Sequence, residues 1–178
     1  MEITMTVPGA LDIICDAVVK LRDEQVYIGA GTVLDAATAR AAIQAGASFI
    51  VAPAFDQETV RTCNTYGVLC MPGALTPTEI LHAWKNGADV VKIFPADLGG
   101  PEYIRSIKEP LPQIELLPTK GVNFETARLF LAAGVIAVGA GSVLVSKELI
   151  ATKNYAQITD NARKFAQMVQ AHRNKAKI

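Results

Sequence analysis

The sequence predicts an α/β fold of the (β/α)8-barrel type, on three observations. Short β-branched runs alternate with longer stretches of helical period, the pattern of strand–helix units around a parallel sheet. Seven such alternations follow one another from Glu2 onward. Two of them echo each other: Ile28-Gly-Ala-Gly-Thr-Val-Leu34 and Val138-Gly-Ala-Gly-Ser-Val-Leu144 take the same place in different units, and repeated units point to a repeated architecture. An open doubly wound sheet is the alternative, because periodicity alone does not show whether the first and last strands meet.

The expected strands are Glu2–Thr6, Val26–Gly29, Phe49–Ala52, Val68–Met71, Val90–Phe94, Ile114–Pro118 and Ile136–Gly139, each followed by a turn signal and a helix. Thr76 and Glu79 have capping-box spacing before the segment that carries Trp84. Asn123 caps a helix over Phe124–Ala133, and Gly134 ends it. In the last helix Tyr155, Ile158, Ala162, Phe165 and Val169 recur at steps of three and four, leaving Lys, Arg, Gln and Asp on the other face. A closed barrel of this type has eight strands. The reading is therefore one domain over residues 1–178, N-terminally incomplete, with the first strand and helix missing and two strand edges left unpaired. Such a chain is expected to be less stable, or differently assembled, than one with the opening unit present.

Composition excludes several functions. The chain has 178 residues, 51% of them hydrophobic, and a formal net charge of zero, which argues against disorder and against an electrostatic grip on nucleic acid. No apolar run approaches the roughly 20 residues that cross a bilayer, and no signal peptide is evident. Cys15, Cys63 and Cys70, with only His82 and His172 besides, give neither a disulfide framework nor a metal site. A reducing cytoplasm and a small-molecule partner fit best. His82 and Trp84 lie in a helical stretch and take no functional role.

Lys92 is the sharpest feature. It sits in Asp89-Val-Val-Lys-Ile-Phe-Pro95, inside an apolar strand that proline ends, where a barrel carries its active-site mouth. Burial disfavours the ammonium form, so a lysine here is suited to attack a carbonyl as a neutral amine and form a Schiff base. The segment equally fits a lysine whose stem packs on Val90 while its head reaches solvent or Asp97. Glu2, Thr4 and Thr6 alternate with Ile3, Met5 and Val7, so one face of the first strand is polar and would line a barrel interior. A carboxylate there shuttles protons for a neighbouring amine. From the residues alone, a solvated glutamate near the terminus is the stronger reading of Glu2. Gly29-Ala-Gly31-Thr32, Thr119-Lys-Gly121-Val122 and Gly139-Ala-Gly141-Ser142 follow strands, where glycine lets main-chain N–H groups approach an anion. The last two end the final two strands, the usual phosphate site of such barrels; plain tight turns are the other reading. Pro53, Pro72-Gly73 and Phe94 shape the walls of the same mouth or simply terminate strands.

Glu2-Ile-Thr-Met-Thr6, Gly29-Ala-Gly-Thr-Val33, Met71-Pro-Gly73, Val91-Lys-Ile-Phe-Pro95, Leu117-Pro-Thr119 and Val138-Gly-Ala-Gly-Ser142, in that order and spacing, resemble the 2-keto-3-deoxy-6-phosphogluconate (KDPG) / 4-hydroxy-2-oxoglutarate (KHG) aldolase family. The resemblance runs from Glu2 to the C-terminal helix. It implies a class I aldolase, a lyase that needs no metal or cofactor, acting on a phosphorylated 2-keto acid and assembling as a homotrimer. By it Lys92 is the Schiff-base lysine and Glu2 the acid/base. Thr32, Pro53 and Phe94 line the keto-acid pocket, and Thr119, Gly121, Gly141 and Ser142 lie near the keto-acid or phosphate groups. The chain departs from the pattern in three places. It lacks the opening unit with its strand-end arginine. Thr6 stands where many relatives have another arginine. Pro118-Thr-Lys-Gly121 replaces Pro-Thr-Gly-Gly, so Lys120 either strains a positive-φ position or supplies a charge to the phosphate. Two other readings compete: a catalytically impaired barrel scaffold used in assembly, and a phosphosugar isomerase or synthase on the same barrel.

Overall fold

The computed structural model describes residues 1–175 and divides into two compact units, Met1–Lys92 and the chain from Ile93 onward. In unit 1, β1 (Glu2–Thr4), β2 (Gly29–Gly31), β3 (Phe49–Val51) and β4 (Leu69–Met71) pair in parallel in that order. The register sets Glu2 opposite Gly29 and Thr4 opposite Gly31. Helices α1 (Ala10–Lys20), α2 (Ala36–Gln44) and α3 (Gln57–Tyr66) connect successive strands, as parallel pairing requires. Ile14, Ile28, Val33, Ile50 and Val60 form the core with Ala30, Ala39 and Ala42, whose small side chains allow close approach of helix to sheet.

Helices α2 and α3 each begin after a polar residue that satisfies one of the helix's orphan N–H groups, whereas α1 starts after Gly9 without a side-chain cap. Asp35 accepts from Thr38 N at 2.8 Å, and Asp56 accepts from Thr59 N at 2.8 Å. Helix α4 (Pro77–Lys85) follows the short β5 (Gly73–Ala74) and opens with the expected reciprocal box of Thr76 and Glu79. β6 (Val91–Ile93) then carries Lys92 at its centre.

Unit 2 contains a 3-10 turn (Ala96–Leu98), α5 (Gly100–Lys108), β7 (Leu116–Pro118), α6 (Phe124–Ala132), α7 (Lys147–Ala151) and α8 (Tyr155–Lys175). Asn123 caps α6 as expected, its side chain accepting from Glu125 N and Thr126 N. Phe124 meets Phe165 of α8 edge-on, with centroids 5.4 Å apart, while Ile104, Ile107, Ile114, Leu116 and Phe130 are buried.

Three sequence expectations shift. The second strand is Gly29–Gly31 rather than Val26–Gly29, because the residues opposite β1 are the ones that ladder; Tyr27 is left 78% exposed. The first strand ends at Thr4, where Val7 N turns back to Thr4 O. Ile136–Gly139 does not form a regular strand. Ile136 N donates to Leu116 O at 3.3 Å and Gly139 N to Pro118 O at 2.9 Å, which gives one isolated parallel bridge, Thr119 with Gly139. Alanine and glycine in this run give little side-chain packing to hold a longer ladder. β5 was not expected, since Pro72-Gly73 reads as a terminator.

Candidate active site

Lys92 is 6% exposed, between the fully buried Val91 and Ile93, and its amide donates to Pro72 O at 2.9 Å. Burial pulls its ammonium below the ordinary lysine range, and the Glu2 carboxylate pulls back in the opposite sense. The apolar strand thus supplies what a nucleophilic amine needs, a partly desolvated nitrogen, and keeps it within the field of one carboxylate. The Lys92 side chain is buried rather than extended into bulk solvent, and within unit 2 the Asp97 carboxylate lies 3.8 Å from the Lys120 ammonium.

Glu2 is solvent-exposed. Its carboxylate nevertheless lies across the α-carbon of Gly31, so closely that a methyl group at position 31 would overlap it. Glycine there is a matter of space: it lets the β1 side chain fold over β2. Thr4 and Thr6 continue the polar face of β1, and their hydroxyls lie 2.8 Å apart. Thr32, half-buried just after β2, has φ 57°, a left-handed conformation that a β-branched residue adopts only under constraint. Pro53 is half-buried after β3, and its carbonyl packs so tightly on Gly73 that no side chain fits there. Unit 1 therefore brings Lys92 and Glu2 within electrostatic reach and holds Thr32 and Pro53 at the ends of neighbouring strands.

In unit 2, Phe94 is half-buried at the end of β6. Thr119 follows β7 and is fixed at both main-chain groups: its N–H donates to Ile93 O and its carbonyl accepts from Ala96 N, each at 3.0 Å. Lys120 has φ 76° and Gly121 φ 72°. A Cβ at Gly121 would stand 2.7 Å from Asp97 Cβ, and the Gly121 carbonyl accepts from Thr126 Oγ1 at 2.7 Å. The Thr119–Gly139 bridge joins this loop to the turn that carries Gly141 and Ser142, both exposed, with open space beside the Gly141 α-carbon. Strain at Lys120 is thus real, and its ammonium sits 3.8 Å from Asp97.

Sequence reasoning missed the Asp97 partner of Lys120 and the Thr4–Thr6 hydroxyl pair; the alternation of β1 was the available signal for the second. Cys63 and Cys70 are fully buried, and the Cys70 thiol is pushed up by the neighbouring Cys63 thiol and by burial, so it is no competing nucleophile. Concavities of about 670 Å³ around Leu131, Val135 and Arg173 and about 600 Å³ around Met1, Tyr27 and Leu69 hold none of the candidate residues. Among the described residues no group of His, Cys, Asp and Glu is arranged to hold a metal, and no helix is long and apolar enough to cross a membrane.

The family model for KDPG and KHG aldolase matches residues 1–161. A 2-dehydro-3-deoxy-phosphogluconate aldolase of Treponema pallidum is 34% identical over 157 residues, 86% of this chain and 75% of that protein. Its counterpart in Pseudomonas aeruginosa is 32% identical over 176 residues, 97% of this chain and 78% of its own length. The structure of KDPG aldolase from Legionella pneumophila, with pyruvate captured at low pH as a covalent carbinolamine intermediate, superposes with a TM-score of 0.82 at 29% identity, covering 90% of this chain and 77% of that one. A 3-hexulose-6-phosphate synthase from Salmonella typhimurium, at 16% identity and a TM-score of 0.72, shares the fold alone, covering 92% of this chain and 81% of its own. The parallel strand–helix alternation is of the (β/α)8 type, and the match along the sequence is to one enzyme family on that fold: this chain belongs to the KDPG and KHG aldolases, which are lyases.

Proposed function

We propose that this chain is a class I aldolase that reversibly cleaves 2-keto-3-deoxy-6-phosphogluconate to pyruvate and glyceraldehyde 3-phosphate, and also 4-hydroxy-2-oxoglutarate to pyruvate and glyoxylate. The observation that carries the reading is the 6% exposure of Lys92 with its acidity raised by burial. The neutral amine adds to the 2-keto carbon to give a carbinolamine, and loss of water gives an iminium. That cation accepts the electron pair of the C3–C4 bond as it breaks, while the C4 hydroxyl loses its proton and becomes the aldehyde. The remaining enamine takes a proton at C3, and water releases pyruvate and the free lysine. Glu2 is the group we assign to these proton transfers, through water, since its carboxylate acts on Lys92 from an exposed position. Thr32, Pro53 and Phe94 are assigned to the keto-acid portion, and Thr119, Gly121, Gly141 and Ser142 to its anionic groups.

Borohydride reduction in the presence of pyruvate, followed by peptide mass mapping, tests the reading. A pyruvate-derived adduct on the peptide bearing Lys92, absent from Lys92→Ala, is expected. Turnover that survives Lys92→Ala would instead favour isomerase or synthase chemistry, and a folded oligomer with neither adduct nor turnover would favour a scaffold. By the same family likeness we assign a homotrimer, which analytical ultracentrifugation checks, and a cytoplasmic setting.

A further inference from the structure

We propose that Lys120 is a specificity-determining residue whose ammonium receives the phosphate monoester of the substrate in exchange for Asp97. The inference rests on the aldolase reading for the identity of the substrate, but the site itself lies wholly within unit 2.

Its position is costly and closely held. A side chain at φ 76° lies in the left-handed region that favours glycine. Thr119 on one side is anchored to Ile93 and Ala96, and Gly121 on the other to Thr126, so the backbone does not relax out of that conformation. A lysine kept under such strain at the mouth of a strand invites a functional account. The side chains of Lys120 and Asp97 are 59% and 42% exposed, and their charged groups lie 3.8 Å apart, beyond hydrogen-bonding distance. An exposed pair of this kind contributes little, and a doubly charged phosphate competes well against one carboxylate. Among the described residues none accepts from the amide N–H of Gly121, Gly141 or Ser142, and the Thr119–Gly139 bridge sets these two stretches side by side. The exposed Lys120 side chain thus belongs to the same pair of joined loops as the main-chain donors of Gly121, Gly141 and Ser142, all exposed.

The test uses Lys120→Arg, which keeps the charge, Lys120→Asn, which removes it with a residue that tolerates positive φ, and Asp97→Asn, which removes the competitor. Calorimetric titration with inorganic phosphate is expected to show binding weakened about tenfold or more in Lys120→Asn, the loss of one charge-assisted contact. Binding should be retained in Lys120→Arg and tightened in Asp97→Asn. In steady-state kinetics Lys120→Asn should raise KM for the phosphorylated keto acid by the same factor at unchanged kcat, leaving the constants for 4-hydroxy-2-oxoglutarate as they were. Wild-type protein that binds no phosphate, phosphate affinity indifferent to residue 120, or a KM rise shared by both substrates would each overturn the proposal. Borohydride trapping of pyruvate on wild-type Lys92 reports separately on the aldolase reading: phosphate binding through Lys120 without an adduct upholds this site and refutes that chemistry.

Discussion

The burial of Lys92 sets stability against the reactivity proposed for it. Burial lowers its pKa in the folded chain, whereas in the unfolded chain it titrates as an ordinary lysine. Between those two values the unfolded state binds more protons, so stability rises with pH; the burial penalty is complete below the folded pKa and lifts as pH climbs toward the unfolded value of about 10.4. Lys92→Met is therefore expected to raise Tm at neutral pH, with an advantage that shrinks on the way to that value, measured by thermal melts across pH. Gly31 makes a different kind of contribution. The three atoms nearest to a Cβ there all belong to the flexible Glu2 side chain, so Gly31→Ala should fold but push the carboxylate away. A kcat lower by roughly a hundredfold, the lower end for one general acid–base group, is the expected outcome, with pyruvate adduct formation on Lys92 still detectable. At Lys120, replacement by glycine removes the left-handed penalty, and the urea midpoint should rise by the equivalent of about 1 kcal/mol. The burial of Lys92 was suggested by the sequence, because the lysine stands inside the apolar run Val-Val-Lys-Ile-Phe, although the same run fits a packed stem with its head in solvent equally well. Asp97 was not legible, because its pairing with Lys120 joins segments more than twenty residues apart through a loop conformation that no local pattern specifies.

Helix starts are where local sequence specified the elements most directly. Thr76 with Glu79, and Asn123 with Thr126, act within one turn, so spacing alone reveals them. Asn123→Ala leaves two α6 amides without their acceptor and should cost about 1 kcal/mol, read as a lower denaturant midpoint with the slope unchanged. Strands behave differently, since their limits depend on the partner's register. Val26 and Tyr27 have strand-forming side chains, yet the ladder begins at Gly29 because that residue faces Glu2. The converse holds at Ile136–Gly139, where a plausible strand run yields one bridge. β-propensity describes a surface that suits packing, and whether packing occurs is decided elsewhere in the chain.

At the scale of the whole molecule, charge is balanced: seventeen basic against seventeen acidic residues, with pI near 6.7. Colloidal repulsion is least there, so light scattering against pH should find maximal self-association near that value and clearer solutions on either side. The alternation of strand and helix, readable from periodicity, fixed the fold class; the division at Lys92 and Ile93 was not readable, because it depends on which distant segments share a core. The caps have one more implication. Asp35, Asp56, Thr76 and Asn123 each stand a few residues beyond a strand end, with the intervening residues free of the duty of starting a helix. Laboratory evolution of new carbonyl acceptors therefore has natural cassettes in those short stretches, where diversity can be introduced while the helix-initiating positions are left alone.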